Sequence, residues 1–262
     1  MYGARVGVER EGRGEGSLTP ITLYGVQSPN VLKVAILLEE LSVPYDLRHV
    51  AVFRGAQFEP EFLRLNPLAK VPVIEDPELE APLTESGAIL FYLAERFGAF
   101  LPDTGFARYE VMQWLMVQMS SIGPMLGQFT HFSLLPPDSE PYGRGRYGSI
   151  ARRLYRLVDE RLANREWIAG GTYSIADIAT APWAEYLERH GLAGSEYPAM
   201  LRWRQAIAGR PAVIRAKARI ESAFGEPTRI AIAGATAADL DRFFGRTDDM
   251  PEQDFSSVKR MR

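Results

Sequence analysis

The chain has no cysteine among its 262 residues. That excludes a disulfide framework, a thiolate metal site and any redox cycle run by a protein thiol. Histidine is nearly as scarce. His49, His131 and His190 stand far apart with no metal-ligand spacing, so no metal is expected. No apolar run approaches the roughly 18–20 residues needed to span a bilayer. The first residues, M-Y-G-A-R-V-G-V-E-R-E-G, lack the apolar core of a signal peptide. The expectation is a cytoplasmic protein with no membrane contact. The formal charge of −3, with no basic block before the last few residues, gives no reason to expect nucleic acid.

What is present is globular. Hydrophobic residues make up 46% and charged residues 24% of the chain, and its length accommodates two domains of roughly 100–150 residues. Residues 1–19 are polar and glycine-rich and read as a flexible arm. Gly12, Gly14 and Gly16 precede a strand instead of following one, the wrong context for a phosphate loop. Pro20–Gly25 is a short strand. Ser28-Pro29 then opens a helix, with serine at the cap and proline at the first turn, and Val31, Val34, Leu38 and Leu41 share one face. From these residues alone two readings stand: Ser28 merely caps the helix, or Ser28, Asn30 and the helix N-terminus converge on an anion such as a thiolate. A second strand over Val43–Val52 and a short helix over P-E-F-L-R-L follow.

The stretch from Leu68 to Gly98 carries the most information. It reads as a strand, an acidic turn, a second strand and a helix opened by Glu85-Ser86-Gly87. Pro72 cannot donate to a strand ladder, and a cis Val71-Pro72 peptide is plausible there. Such a kink leaves the Val71 N–H and C=O free to pair with an extended peptide. The helix start at Glu85-Ser86 offers unpaired N–H groups to a carboxylate. The element order, βαβαββα, is the thioredoxin pattern.

After Pro102 strand signals vanish. Residues 105–129 place Val111, Leu115, Met119 and Ile122 on one helical face, with a kink expected at Gly123-Pro124. Residues 144–163 repeat the pattern through Ile150, Leu154, Leu157, Val158 and Leu162. Ser174 and Asp177 read as a capping box, with a catalytic Ser–Asp pair as the sharper alternative. Residues 197–209 and 211–223 are two further helices, and Thr236–Gly245 is a short capped one in a tail that is otherwise loop-like. The adjacent Phe243 and Phe244 suggest docking against the body or a partner subunit, with a weakly ordered tail as the alternative. The expected organisation is an arm at 1–19, an α/β thioredoxin-like domain at 20–101, an all-α domain at 105–224 and a tail at 225–262.

With a V-P turn, E-S-G-A-I at a helix start and S-I-A-D in a helical second half, the chain resembles the glutathione transferases over roughly residues 20–224. The strings A-Q-F-E-P-E-F-L, N-P-L-A-K-V-P, E-S-G-A-I-L-F-Y-L-A-E and G-P-M-L-G-Q are most similar to the Nu class, which groups bacterial glutathione-dependent disulfide-bond reductases with a fungal regulatory relative. The resemblance implies that glutathione is the co-substrate and that Ser28 and Asn30 activate its thiol, where the family pattern T-P-N is here S-P-N. It implies that Val71, before Pro72, pairs with the cysteinyl unit, that Glu85 and Ser86 hold the γ-glutamyl end, and that Gln57 and Lys70 meet the glycyl carboxylate. Arg146 resembles an arginine that reaches the bound peptide, and His131-Phe132 a motif on the second-substrate pocket. A homodimer is also implied, through the helices after Glu85 and Phe106. Tyr24 is a rival for the thiol, although its position suits a buried or pocket-lining residue better.

Three functions fit these residues. One is a disulfide reductase drawing both reducing equivalents from glutathione thiols, and the second is conjugation of glutathione to an electrophile. The third is a non-catalytic glutathione-binding regulator.

Overall fold

Residues Ile21–Gly25 (β1) alternate buried and half-buried side chains, with Leu23 fully enclosed. The computed structural model describes residues 19–136, 138–250, 252–255 and 257–258, so the expected N-terminal arm lies, but for Thr19, outside the described residues. β1 pairs in parallel with Tyr45–His49 (β2) and antiparallel with Val73–Glu75 (β3), which pairs antiparallel with Leu83–Thr84 (β4). The sheet order is β2-β1-β3-β4. A parallel pair requires a crossover, supplied by Pro29–Glu40 (α1). Pro60–Leu65 (α2) lies between β2 and β3, and Ser86–Phe97 (α3) follows β4. The expected βαβαββα order is the one observed.

α1 is apolar on nearly every side, burying Val31, Val34, Ala35, Ile36, Leu37 and Leu38. A helix of that kind is covered all round: one side meets the sheet and the other the helices of the C-terminal region. Those helices are Gly105–Val117 (α4), Gly123–Leu134 (α5), Pro141–Leu162 (α6), Ile175–Ala184 (α7), Pro198–Ala208 (α8), Pro211–Ile220 (α9), Glu226–Ala233 (α10) and Ala237–Phe244 (α11). One core cluster runs from Ile21 and Leu23 of the sheet through Trp203 and Phe224 of the helical region. Leu157, expected on the buried face of α6, is instead 41% exposed.

At two places where the sequence reads as irregular, the chain runs on as helix through a widened turn. Ahead of Gly123-Pro124, where a kink is expected, the chain widens into a π-turn over Gln118–Ile122 and continues as α5 to Leu134. The region after Gly225 was expected to be loop-like, yet a π-turn over Glu221–Gly225 leads straight into α10, with Pro227 in its first turn. The physical reason is the same in both. Proline lacks an N–H and crowds the carbonyl four residues back, and a wider turn relieves that conflict without ending the helix. At α7 and α11 the capping boxes of Ser174 with Asp177 and Thr236 with Asp239 are both present, and Gly245 (φ 74°) stops α11 in the left-handed conformation.

Asp177 is committed to structure. It accepts from the Ile168 and Ser174 N–H groups at 2.9 and 3.1 Å and from Trp203 Nε1 at 2.8 Å. Burial pushes its carboxyl up to about 6 against those donors. The C-terminal end of α1 is tied to the helical region by arginines. Arg210 grips Glu40 through two nitrogens at 2.6 and 2.9 Å, and Arg215 and Arg219 reach Glu39 at 2.8 and 3.2 Å.

Candidate active site

β1 ends, β3 begins and β4 ends at one end of the sheet, because Tyr24 lies opposite Val73 and Val73 opposite Thr84. The loop into α1, the loop before β3 and the start of α3 therefore gather there. Beside them is a cavity of about 1190 Å³, at or above the usual upper range for a small-molecule site. Its walls include Ser28, Asn30, Gln57, Lys70 and Val71, with His131 of α5 facing them and Arg242, Phe243 and Phe244 of α11 closing one side.

Ser28 is the cap of α1, its Oγ accepting from the Val31 N–H at 3.4 Å. Because the cap uses the oxygen as acceptor, the hydroxyl hydrogen remains available to donate. Asn30, in the first turn, accepts from Trp183 Nε1 at 3.0 Å through Oδ1. An indole N–H can only donate, so the atom facing Trp183 must be the amide oxygen. The Asn30 NH₂ is thereby left as a donor beside Ser28, at the positive end of a 12-residue helix. Two side-chain donors at a helix terminus are an arrangement that can hold an anion.

The Val71-Pro72 peptide is cis. Val71 follows Lys70, whose carbonyl accepts from Asn66 Nδ2 at 2.7 Å. Among the described residues, no hydrogen bond engages the Val71 N–H or C=O. Gln57 is only 3% exposed, and its Oε1 is buried without a partner.

Other sequence-predicted residues lie outside the cavity lining. Pro72 stands at the same end of the sheet. Glu85 and Ser86 begin α3 there, next beyond the Val73–Thr84 pair. Glu85 has φ 63°, a conformation that costs a residue with a side chain free energy and clusters at functional sites. Ser86 is buried, its Oγ 3.8 Å from Met119 Sδ. A Cβ on Gly87 would come within 2.8 Å of the same side chain, which explains the glycine. Arg146 is exposed on α6, away from the cavity. Phe132 is packed beneath Gly143 and stacked on Tyr147 at 5.3 Å, so it serves the core rather than the wall. His131 does line the cavity, and burial lowers its pKa. Tyr24, the rival, donates to Glu75 Oε2 at 2.6 Å and lies outside the lining. Burial and then Glu75 push its phenol up to about 12, and the hydroxyl hydrogen that would meet a thiolate is engaged by Glu75.

Two neighbours escaped the sequence reading. Trp183 sits 153 positions from Asn30, and its local string A-P-W-A-E carries no sign of that bond. Lys33 left a visible signal, a lone lysine inside V-L-K-V-A-I. It is fully buried, donating to Gln118 Oε1 at 2.8 Å, and burial pulls its ammonium down to about 7 against the field of Glu85.

A thioredoxin-like sheet whose cis-proline loop stands beside a helix N-terminus, followed by a helical domain, defines the glutathione transferase class. The Glutathione S-transferase, N-terminal domain family matches residues 19–95 and the Glutathione S-transferase, C-terminal domain family matches residues 149–211. The disulfide-bond oxidoreductase YfcG of Escherichia coli (strain K12) is 43% identical over 197 residues, covering 73% of this chain and 92% of that protein. The chain belongs to the glutathione S-transferase family. Among solved structures, a glutathione transferase from Burkholderia graminis with two glutathione molecules bound per subunit matches with TM-score 0.70 and 40% identity, covering 78% of this chain and 88% of that one. A Pseudomonas putida glutathione transferase with one glutathione disulfide bound per subunit matches with TM-score 0.71 and 37% identity, covering 75% and 90%.

Proposed function

We propose that this protein is a glutathione-dependent disulfide-bond reductase of the Nu type, working on small disulfides in the cytoplasm. The observation that carries the reading is the orientation of Asn30. With its oxygen bonded to Trp183 at 3.0 Å, its NH₂ and the Ser28 hydroxyl form a donor pair for a thiolate. Lowering a thiol pKa by about 2 units takes about 2.7 kcal/mol of differential stabilisation. Hydrogen bonds to a charged group supply about 1.5–3 kcal/mol each, so the pair and the helix terminus suffice without a general base.

In this reading glutathione lies extended along Val71, pairing with its unused N–H and C=O. Its γ-glutamyl end reaches Glu85 and Ser86, and its glycyl carboxylate reaches Gln57 and Lys70. His131 lines the part of the cavity left for the second substrate. Since the chain has no cysteine, both electrons come from glutathione. The activated thiolate attacks one sulfur of the disulfide, forming a mixed disulfide and expelling a thiolate that takes up a proton. A second glutathione thiolate attacks the glutathione sulfur of that mixed disulfide, releasing the second thiol and leaving glutathione disulfide. The size of the cavity and the relatives with two glutathiones or one glutathione disulfide per subunit support a site for both molecules.

A homodimer accompanies this reading. Phe106, Tyr109 and Met116 of α4 are 76%, 71% and 50% exposed, an apolar stripe on a helix the resemblance assigns to the interface. The activity test is the steady-state rate of glutathione-dependent reduction of 2-hydroxyethyl disulfide. A rate well above the uncatalysed background, collapsing in Asn30→Ala, is expected. A wild-type rate equal to background, with glutathione still bound, would overturn the reductase reading.

A further inference from the structure

The tail at 225–262 lies outside both matched family segments, yet part of it walls the cavity. α11 is held in place at both ends of its reach. Asp239 meets Arg54 at 3.4 Å, Phe243 packs on Phe53 at 4.5 Å, and Phe244 packs on His131 at 4.9 Å. The helix thus bridges the loop after β2 and helix α5, and it docks on the body of its own chain.

That docking places Arg242 against the segment that carries Gln57, and both line the cavity. The Arg242 guanidinium lies over the Phe58 ring, 4.4 Å from its centroid, and its Nη1 would stand 3.4 Å from a Cβ on Gly55. These two residues flank Gln57 along the chain. Stacking on an aromatic face occupies the plane of a guanidinium but leaves its edge N–H groups free to meet a carboxylate. The nearby acid, Asp239, is already engaged, accepting from the Thr236 N–H at 2.9 Å and paired with Arg54. Gln57 supplies an independent sign of a missing ligand, because it is buried and its Oε1 has no partner. A buried amide left unsatisfied calls for a partner. A group offering both an N–H and a carboxylate, as a peptide C-terminus does, would satisfy it.

We infer that Arg242 of α11 is a binding residue for the glycyl carboxylate of glutathione, completing with Gln57 and Lys70 a cradle that the tail closes. The inference rests on the glutathione site proposed above. The tail is then part of the substrate site.

The test is calorimetric titration of the full chain with glutathione and with its glycyl monoethyl ester, for wild type, Arg242→Gln and Arg242→Lys. The substitutions leave the Thr236–Asp239 cap and the Phe243 and Phe244 contacts in place. Wild type is expected to bind the ester about tenfold more weakly than glutathione. Arg242→Gln is expected to lose about tenfold for glutathione and less than twofold for the ester, with Arg242→Lys between. Equal losses for both ligands, or no loss for either, would overturn the assignment of Arg242 while leaving the glutathione site standing. Failure of wild type to bind either ligand would overturn the site itself.

Discussion

The two ends of α1 are built from the same helix and treated in opposite ways. At the C-terminal end, Glu39 and Glu40 are taken up by Arg210, Arg215 and Arg219. At the N-terminal end, the Ser28 hydroxyl and the Asn30 NH₂ face a cavity with donors to spare. A satisfied end fastens the sheet to the helical region. An end with unspent donors, held still by that fastening, is poised for an anion that arrives later. In the proposed reading, preorganisation means that the rigid half of the helix holds the half that meets the thiolate.

Removing the donor at the open end should have the largest effect. Asn30→Ala is expected to lower kcat/KM for disulfide reduction by about 100-fold or more, on the order of 2.7 kcal/mol of transition-state stabilisation. Thermal stability should move far less than activity. At the closed end the pattern inverts. Arg210→Ala strands the Glu40 carboxylate, whose side chain is only 8% exposed, and is expected to cost about 2 kcal/mol of folding stability. Chemical denaturation would read that loss, with the pKa of bound glutathione unmoved.

Trp183→Phe sharpens the comparison, since it keeps an aromatic six-membered ring but removes the N–H that orients Asn30 together with the rest of the five-membered ring. The pKa of bound glutathione, followed by thiolate absorbance, should rise by about 1 unit, or about 1.4 kcal/mol. An unchanged pKa alongside lost stability would assign Trp183 to packing alone. The smallest effect concerns Glu39. Burial raises its pKa, but the bonds from Arg215, Tyr45 and Arg219 outweigh burial, so the net shift is downward. A depressed carboxyl contributes stability above its unfolded pKa of about 4.3 and loses it as pH falls through the folded value. The double variant Arg215→Met with Arg219→Met should flatten that acid limb by under about 1 kcal/mol, because both arginines are roughly half exposed and screened by solvent.

Much of the α/β half was legible because its signals are local. Ser28-Pro29 caps a helix, proline opens the β3 segment, and Glu85-Ser86 starts α3; each needs only a few neighbouring residues. Ser28, Asn30, Gln57, Lys70 and Val71 do meet in one cavity. The misread parts depended on distant partners or on alternatives to a rule. Phe132 reads as a pocket residue until Gly143 and Tyr147 close over it. The bond from Trp183 to Asn30 joins α7 to α1, and no pattern within either segment encodes it. Gly123-Pro124 and Gly225-Glu226-Pro227 carry the marks of helix ends, but packing on both sides favoured a widened turn over a break.

The widened turn at Gln118–Ile122 also sets a rotational phase. An α-helix advances about 100° per residue, so the same residues wound as regular helix through this segment would swing everything after it around the helix axis by about that angle. His131 would leave the cavity wall, and Gly123 and Gly127, which admit Trp183 at close range, would turn elsewhere. A single residue's worth of slack keeps α5 indexed to α1. In sequence drift, this segment should therefore tolerate substitution of its outward side chains, accept loss of the one residue that the wider turn takes up, and refuse other changes in length.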